Sequence, residues 1–259
     1  MKKKIFSQSY TKKNLEIIDT SIIFSAEEHA LLSQVEFQSL FTSCDSIIRW
    51  YFSQNSEKLH VLPFLIQKCQ RDNIHNILSL GAGPCVIENY LQQMIPEPNK
   101  IVAVDFDSFF ISMAKKHFTS IDAEEFDFKS DDPEELQKKV SVKFDLAVFF
   151  NSSYVMDDDE FINFFKKLKK TGIPQIIDFQ TSYIPYWDMP KQHVDILKER
   201  LLNIVNNFLS KPIGKDKGKF HGFSRSRASL RNLYKESGFR IIQEIKIQPY
   251  SYVAVLSPT

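Results

Sequence analysis

The chain is short of several things that would settle its class at once. Cysteine occurs three times in 259 residues. Cys44, Cys69 and Cys85 are too few and too widely spaced for a zinc site or a disulfide framework, which points to a reducing, cytoplasmic setting. Glycine occurs seven times, which excludes a collagenous or glycine-rich low-complexity chain. Neither sign of charge is in excess: 33 Lys and Arg face 32 Asp and Glu. A balance this flat gives no global basic field of the kind that marks nucleic-acid or membrane binders. No stretch approaches the roughly 18 apolar residues of a membrane span. Lys2, Lys3 and Lys4 imitate the head of a signal peptide, but Ser7, Gln8, Ser9, Lys12 and Lys13 interrupt the apolar run that would have to follow. What remains is an ordinary soluble mix, 43% apolar and 25% charged. Its length suits one large domain or one domain with a helical appendage.

The pattern divides the chain at residue 72. Residues 1–72 read as a helical N-terminal cap. Ser25 with Glu28 makes a capping box, Leu31, Leu32, Val35, Leu40 and Phe41 follow at helical spacing, and a second helix is expected over 56–70. Residues 73–259 alternate strands with helices. The strands are expected at 74–80, 101–104, 125–129, 144–150 and 176–179. Phe161, Phe164, Phe165 and Leu168 form the stripe of one helix, with Asp157, Asp158, Asp159 and Glu160 at its positive end. An amphipathic helix is expected through Val194, Leu197, Leu201 and Val205. Ser226 caps another helix that ends at Gly238, and strands follow over 239–248 and 252–256. Such alternation predicts an α/β fold, a doubly wound parallel sheet covered on both faces. The last two strands, joined by a short connection, can only be antiparallel.

In an open parallel sheet, ligands bind beyond the carboxyl ends of the strands. Gly81-Ala82-Gly83 follows the first strand, where bare backbone can turn tightly and let a ligand approach. The helix N-terminus behind it favours an anionic group. Asp105 ends the second strand and can accept two hydroxyl hydrogen bonds from a ribose. Together these predict a nucleoside site. Val86, where a dinucleotide fold would carry a third glycine, and the 70 or so preceding residues argue against a nicotinamide cofactor.

From about residue 70 to 259 the chain resembles the class I S-adenosylmethionine-dependent methyltransferases. Leu80-Gly81-Ala82-Gly83-Pro84 is similar to their first motif and Val102-Ala103-Val104-Asp105 to their second. Residues 144–151 resemble their fourth strand, and Ser237-Gly238-Phe239 the Gly-Phe before their sixth. Two positions depart from the pattern: Ser79 stands where the family often has an acid, and Cys85 where a third glycine is common. The resemblance implies a Rossmann-like seven-strand mixed sheet with an antiparallel last strand and S-adenosylmethionine as cofactor. It implies cofactor contacts from Gly81, Ala82, Gly83, Asp105, Phe106, Asn151 and Asp131 (or its neighbour Asp132). It implies methyl transfer to an oxygen or nitrogen of a small-molecule acceptor. The alternatives are aminocarboxypropyl transfer from the same cofactor, or a binding protein without catalysis.

For the chemistry, His221 is the candidate base, since an imidazole titrates near neutrality. Tyr154 follows Asn151 in an outline similar to the Asn-Pro-Pro-Tyr of nitrogen methyltransferases, without the prolines, and faces either substrate or core. Tyr183 and Trp187 either wall a substrate pocket or pack the cap. Arg225, with Arg227 and the lysines of 211–219, either attracts a carboxylate, phosphate or acidic sugar or belongs to a solvated loop. The acidic run at 157–159 is explained by the helix dipole, so no metal is predicted. Neither a nucleic-acid nor a membrane partner is expected, and the oligomeric state is left open.

Overall fold

A computed structural model describes residues 2–6, 43–54, 58, 61–95, 99–181, 220–248 and 251–259. The described elements begin with β1 (Lys2–Phe6), α1 (Cys44–Gln54), α2 (Leu62–Asp72), β2 (Asn76–Leu80), α3 (Val86–Met94) and β3 (Lys100–Asp105). There follow α4 (Ser108–His117), β4 (Asp122–Glu125), α5 (Pro133–Val140), β5 (Leu146–Phe150), α6 (Asp158–Lys170) and β6 (Gln175–Thr181). The chain then gives β7 (Phe220–Arg225), α7 (Arg227–Glu236), β8 (Phe239–Gln248) and β9 (Ser251–Pro258).

Seven strands form one mixed sheet in the order β4-β3-β2-β5-β6-β9-β8. β2 through β6 are parallel, and β9 runs antiparallel to both β6 and β8. The central strands are apolar on both faces, as strands sandwiched between helices must be. Ile77, Ala103, Val148 and Phe150 pack against α1 to α4 on one side. Leu78, Val102, Ala147 and Phe149 pack against α5, α6 and α7 on the other. The fold is α/β, doubly wound as the pattern predicted.

α6 shows how locally this is encoded. Asp157 accepts a hydrogen bond from the Glu160 amide at 2.9 Å, and the Glu160 carboxylate accepts one from the Asp157 amide at 2.9 Å. Phe161, Phe164, Phe165 and Leu168, one helical face, are all buried. Phe165 stacks on Phe161 at 4.2 Å and on Phe149 of β5 at 5.2 Å, each such ring contributing about 1.5–3 kcal/mol by burial. Lys167, Lys169 and Lys170 finish the helix at its negative end.

Four expectations are corrected. Residues 2–6 are not helical: β1 pairs antiparallel with β7 in a separate two-stranded sheet. Residues 220–225 are likewise a strand, and Arg225 is buried at its end rather than part of a solvated loop. The third strand of the α/β unit is Asp122–Glu125 rather than 125–129, because the chain closes a turn in which Asp131 donates its amide to the Asp127 carbonyl at 2.9 Å. The second helix of the cap region starts at Leu62, with Pro63 in its first turn. The capping box at Ser25, the helix through Val194 and most of the 211–220 stretch lie outside the described residues. Among the described residues no helix is long and apolar enough to cross a membrane.

Candidate active site

β2 has β3 on one side and β5 on the other, so the chain's winding reverses between the carboxyl ends of β2 and β5. The glycine turn lies there. Gly81 and Ala82 both donate their amides to the Val104 carbonyl, at 2.8 and 3.0 Å, which ties the turn to the end of β3. Gly81 has φ +71° and Gly83 φ +59°, backbone that only glycine enters freely. The two face different surroundings. A Cβ on Gly81 would lie 2.3 Å from the Cβ of Ser152, which the Ser152 hydroxyl anchors by donating to the Leu80 carbonyl at 2.5 Å. A Cβ on Gly83 would meet nothing within 4 Å among the described residues, which leave this backbone bare. Cys85 takes φ +60°, the left-handed conformation a glycine would adopt, at a penalty of roughly 1–2 kcal/mol. Its buried thiol is pushed well above its ordinary pKa by burial and by the charges of Glu88 and Asp105, so it stays a thiol rather than a nucleophile.

Asp105 closes β3 beside this turn and is 7% exposed. One carboxylate oxygen accepts from the Gly83 amide at 2.8 Å and the other from the Asp107 amide at 3.0 Å. Each oxygen keeps a second lone pair. Burial raises the pKa of Asp105, and the two amides oppose that rise. Phe106, the next residue, is 76% exposed, a bare ring at the lip of the same edge.

Beneath the turn lies a pair that the sequence reading missed. Ser79 of β2 donates its hydroxyl to Glu88 of α3 at 2.5 Å, and Glu88 is 1% exposed. Its other oxygen, Oε2, has no hydrogen-bond partner among the described residues. A carboxyl therefore stands under the loop although the strand position itself holds a serine. The available signal was the substitution at Ser79 together with an acid in the first turn of the following helix. Burial pushes Glu88 up to about 7, against the Ser79 bond and the charge of Lys58.

The sign of the pH effect follows from that rise. Between pH 4.5, the ordinary value for a Glu side chain, and about 7 the folded chain keeps a proton that the unfolded chain has lost. Stability therefore falls as pH rises through this window and levels off above it, by about 3 kcal/mol in full. Glu88→Gln should flatten that slope and gain stability at pH 8 relative to the parent. Urea unfolding of both proteins at pH 5 and pH 8 measures it, and parallel pH profiles would show that Glu88 ionises normally in the fold.

At the β5 and β6 ends, Asn151 takes φ +55° and donates its amide to the Phe179 carbonyl at 2.7 Å, extending the ladder by one rung before the chain turns. Asp178, fully buried, accepts from Ser153 Oγ at 2.8 Å, Gln180 Nε2 at 2.6 Å and Tyr234 Oη at 2.7 Å. Burial raises its pKa and those three donors oppose the rise. With three donors in place, Asp178 joins the turn after β5 to β6 and α7. Tyr154 is half-buried, and burial pushes its phenol up to about 12, so near neutrality it is a hydrogen-bond donor and not a base.

The structure thus gathers Gly81, Ala82, Gly83, Asp105 and Phe106 at one edge, with Asn151 reaching it through its neighbour Ser152. Asp131 sits in the turn beyond β4, its carboxylate accepting the Asp127 amide at 2.7 Å. Phe126, Asp127 and Phe128 occupy the positions immediately after the strand, and the Phe128 ring lies 3.4 Å from where a Cβ on Gly81 would be. His221 falls at the register irregularity of the β1–β7 ladder, and its side chain lies outside the described residues, as do Tyr183 and Trp187. Arg225 is fully buried at the end of β7 and bonded to Met156 and Asp158. A cleft lined by Glu134, Gln137, Lys138, Ser141 and Val142 lies toward the amino ends of the strands and includes none of these residues.

No protein-family model matches the chain, and no curated protein matches it in sequence. Solved structures do match it in shape. Human N-acetylserotonin methyltransferase in complex with S-adenosylmethionine aligns with 90% of this chain and 61% of its own, at 15% identity and a TM-score of 0.58. Mitomycin 7-O-methyltransferase aligns with 88% of this chain and 59% of its own, at 10% identity and a TM-score of 0.59. The N,N-8-amino-8-demethyl-D-riboflavin dimethyltransferase of Streptomyces davawensis aligns with 89% of this chain and 62% of its own, at 12% identity and a TM-score of 0.56. The chain therefore spans about three-fifths of the length of these proteins. Sheet order, antiparallel closing strand and overall superposition agree: the chain has the fold of the class I S-adenosylmethionine-dependent methyltransferases.

Proposed function

We propose that this chain binds S-adenosylmethionine at the β2–β3 edge and passes its methyl group to an oxygen or nitrogen of a small-molecule acceptor. One arrangement carries the reading: the Asp105 carboxylate bonded to the Gly83 amide, beside a glycine face open to a ligand. The residues suit the cofactor part by part. Asp105 has a lone pair left on each oxygen for the two ribose hydroxyls. The exposed Phe106 ring offers a face for the adenine. The bare Gly83 backbone at the head of α3 favours the methionine carboxylate, and Glu88 Oε2, unpartnered among the described residues, would accept from the ammonium group once the carboxyl is ionised.

When bound, the sulfonium supplies an electrophilic methyl group and its own leaving group, so the protein's task is alignment and exclusion of water. Just past β5, Asn151 touches the cofactor and Tyr154 faces the acceptor. Tyr183 and Trp187 wall its pocket. His221 takes the proton from an oxygen nucleophile, while a neutral amine needs no base for the attack. The structural neighbours include one protein named for an oxygen acceptor and one for an amine, both small molecules, which supports that breadth.

Thermal unfolding with S-adenosylmethionine, S-adenosylhomocysteine and NAD tests the reading. A ligand at about 100 times its dissociation constant stabilises by roughly 2.7 kcal/mol. A rise with both sulfur compounds and none with NAD is expected. No rise, or a rise with NAD alone, overturns it. Product mass from an acceptor screen then separates transfer of one carbon from transfer of the four-carbon aminocarboxypropyl group.

A further inference from the structure

Two arginines flank Ser226, the residue that caps α7 by accepting the Ser229 amide at 3.2 Å. Arg225 ends β7 and Arg227 begins the helix. Arg225 gives Nε and Nη2 to Asp158 Oδ1 at 3.0 and 2.9 Å, and Nη2 also to the Met156 carbonyl at 2.7 Å. Its guanidinium carbon lies 5.4 Å from each of the Phe161 and Phe223 ring centres. Its remaining nitrogen, Nη1, is buried and has no hydrogen-bond partner among the described residues. Arg227 lies over the Tyr252 ring at 5.5 Å, and its Nε and Nη2 are buried with no hydrogen-bond partner among the described residues.

Those last two atoms form the edge of a guanidinium that grips two oxygens at once. A nearby carboxylate could have filled it, and the field of Arg227 does reach Glu244. Glu244, however, is already engaged by Arg231 at 2.7 and 2.5 Å and by the Tyr252 hydroxyl at 2.6 Å. Buried guanidinium nitrogens left without acceptors are unfavourable, and the N-terminus of a ten-residue helix between them adds partial positive charge.

The position is also telling. α7 leads into β8 and then antiparallel into β9, so its N-terminus lies at the end of the sheet where β5 and β6 finish. Tyr252 is in register with Gln180, one residue short of the end of β6.

We propose that Arg225 and Arg227 form a binding site for an oxyanion, a carboxylate or a phosphate group carried by a small molecule. Resting on the reading above, that molecule is the methyl acceptor, which places the acceptor among acidic metabolites. Arg227 supplies the two-pronged edge and Arg225 a third nitrogen.

The test is thermal unfolding of the intact chain titrated with inorganic phosphate and, separately, with acetate, each against sodium chloride of equal ionic strength. Arg227→Lys and Arg227→Met are run alongside, with S-adenosylhomocysteine as an independent arm. The parent should show a saturable rise in Tm above the chloride control with at least one anion, and which anion acts distinguishes phosphate from carboxylate. Arg227→Lys should weaken that response about tenfold, Arg227→Met should abolish it, and all three should respond equally to S-adenosylhomocysteine. Arg227→Met should be at least as stable as the parent without ligand, since it removes an unpartnered cation and keeps an apolar stem over Tyr252. An anion response equal to that of chloride, or unchanged in Arg227→Met, overturns the site. So does a ligand-free Tm several degrees lower in Arg227→Met, which would mean the guanidinium already has a partner. An intact anion response with no response to S-adenosylhomocysteine would leave the site standing and remove the methyl-transfer reading.

Discussion

Asp105→Ala is expected to weaken S-adenosylmethionine binding about a thousandfold while the ligand-free protein stays folded. A hydrogen bond to a charged acceptor contributes roughly 1.5–3 kcal/mol. Two ribose hydroxyls on one carboxylate therefore amount to about 4 kcal/mol, or three decades in affinity. In the free protein the substitution has opposing effects. It strands the Gly83 and Asp107 amides, yet it also removes a carboxylate whose ionised form burial disfavours. Asp105→Asn keeps one acceptor oxygen and should fall between parent and alanine. Calorimetric titration of the three proteins with S-adenosylhomocysteine reads the effect directly. An alanine variant binding within a few-fold of the parent would take Asp105 out of the site.

Gly81→Ala should lower global stability by about 4 kcal/mol, far beyond an ordinary Gly-to-Ala exchange. Two separate penalties combine. The left-handed backbone contributes about 1–2 kcal/mol for any side chain, and forcing a methyl group into packed space contributes roughly 1–3 kcal/mol. The second arises from the 2.3 Å approach to Ser152 Cβ, so Ser152→Gly should relieve that part and leave the first. Urea unfolding of both single variants and the double variant gives the coupling, expected to exceed about 1 kcal/mol in the compensating direction. Strict additivity would mean the two residues do not touch in solution. Gly83→Ala is the internal control, since its Cβ would meet none of the described residues and the backbone penalty remains.

These two positions were visible in the sequence because each sits where a strand stops. Leu78-Ser79-Leu80 and Val102-Ala103-Val104 are short apolar runs, and the residue that ends such a run at the carboxyl edge is placed by the sheet itself. What depends on contact between distant segments was not visible. Nothing near Gly81 announces Ser152, and nothing near Ser79 says that Glu88 will fold back over it. The Asp178 carboxylate meets Tyr234 only once α7 has docked on the sheet. The strand expected at 125–129 ends instead at Glu125: Phe126 and Phe128 alternate like a strand, but bonds to the Asp127 and Asp131 carboxylates close a turn there. β1 was missed for a different reason. Lys2-Lys3-Lys4 has no apolar periodicity, and its partner strand is more than two hundred positions away.

That separation bears on the order in which the molecule assembles. During synthesis from the amino end, Lys2–Phe6 has nothing to pair with until Phe220–Arg225 has been made. Closing so long a loop opposes the ladder by about 5 kcal/mol of chain entropy, and an isolated two-stranded ribbon is marginal in water. The clasp therefore forms after the seven-stranded sheet has already brought its surroundings together, and it can open without unravelling that sheet. Because Arg225 is the last residue of the clasp and is pinned to the head of α6, a strand far upstream in the chain is held in place by one far downstream of it.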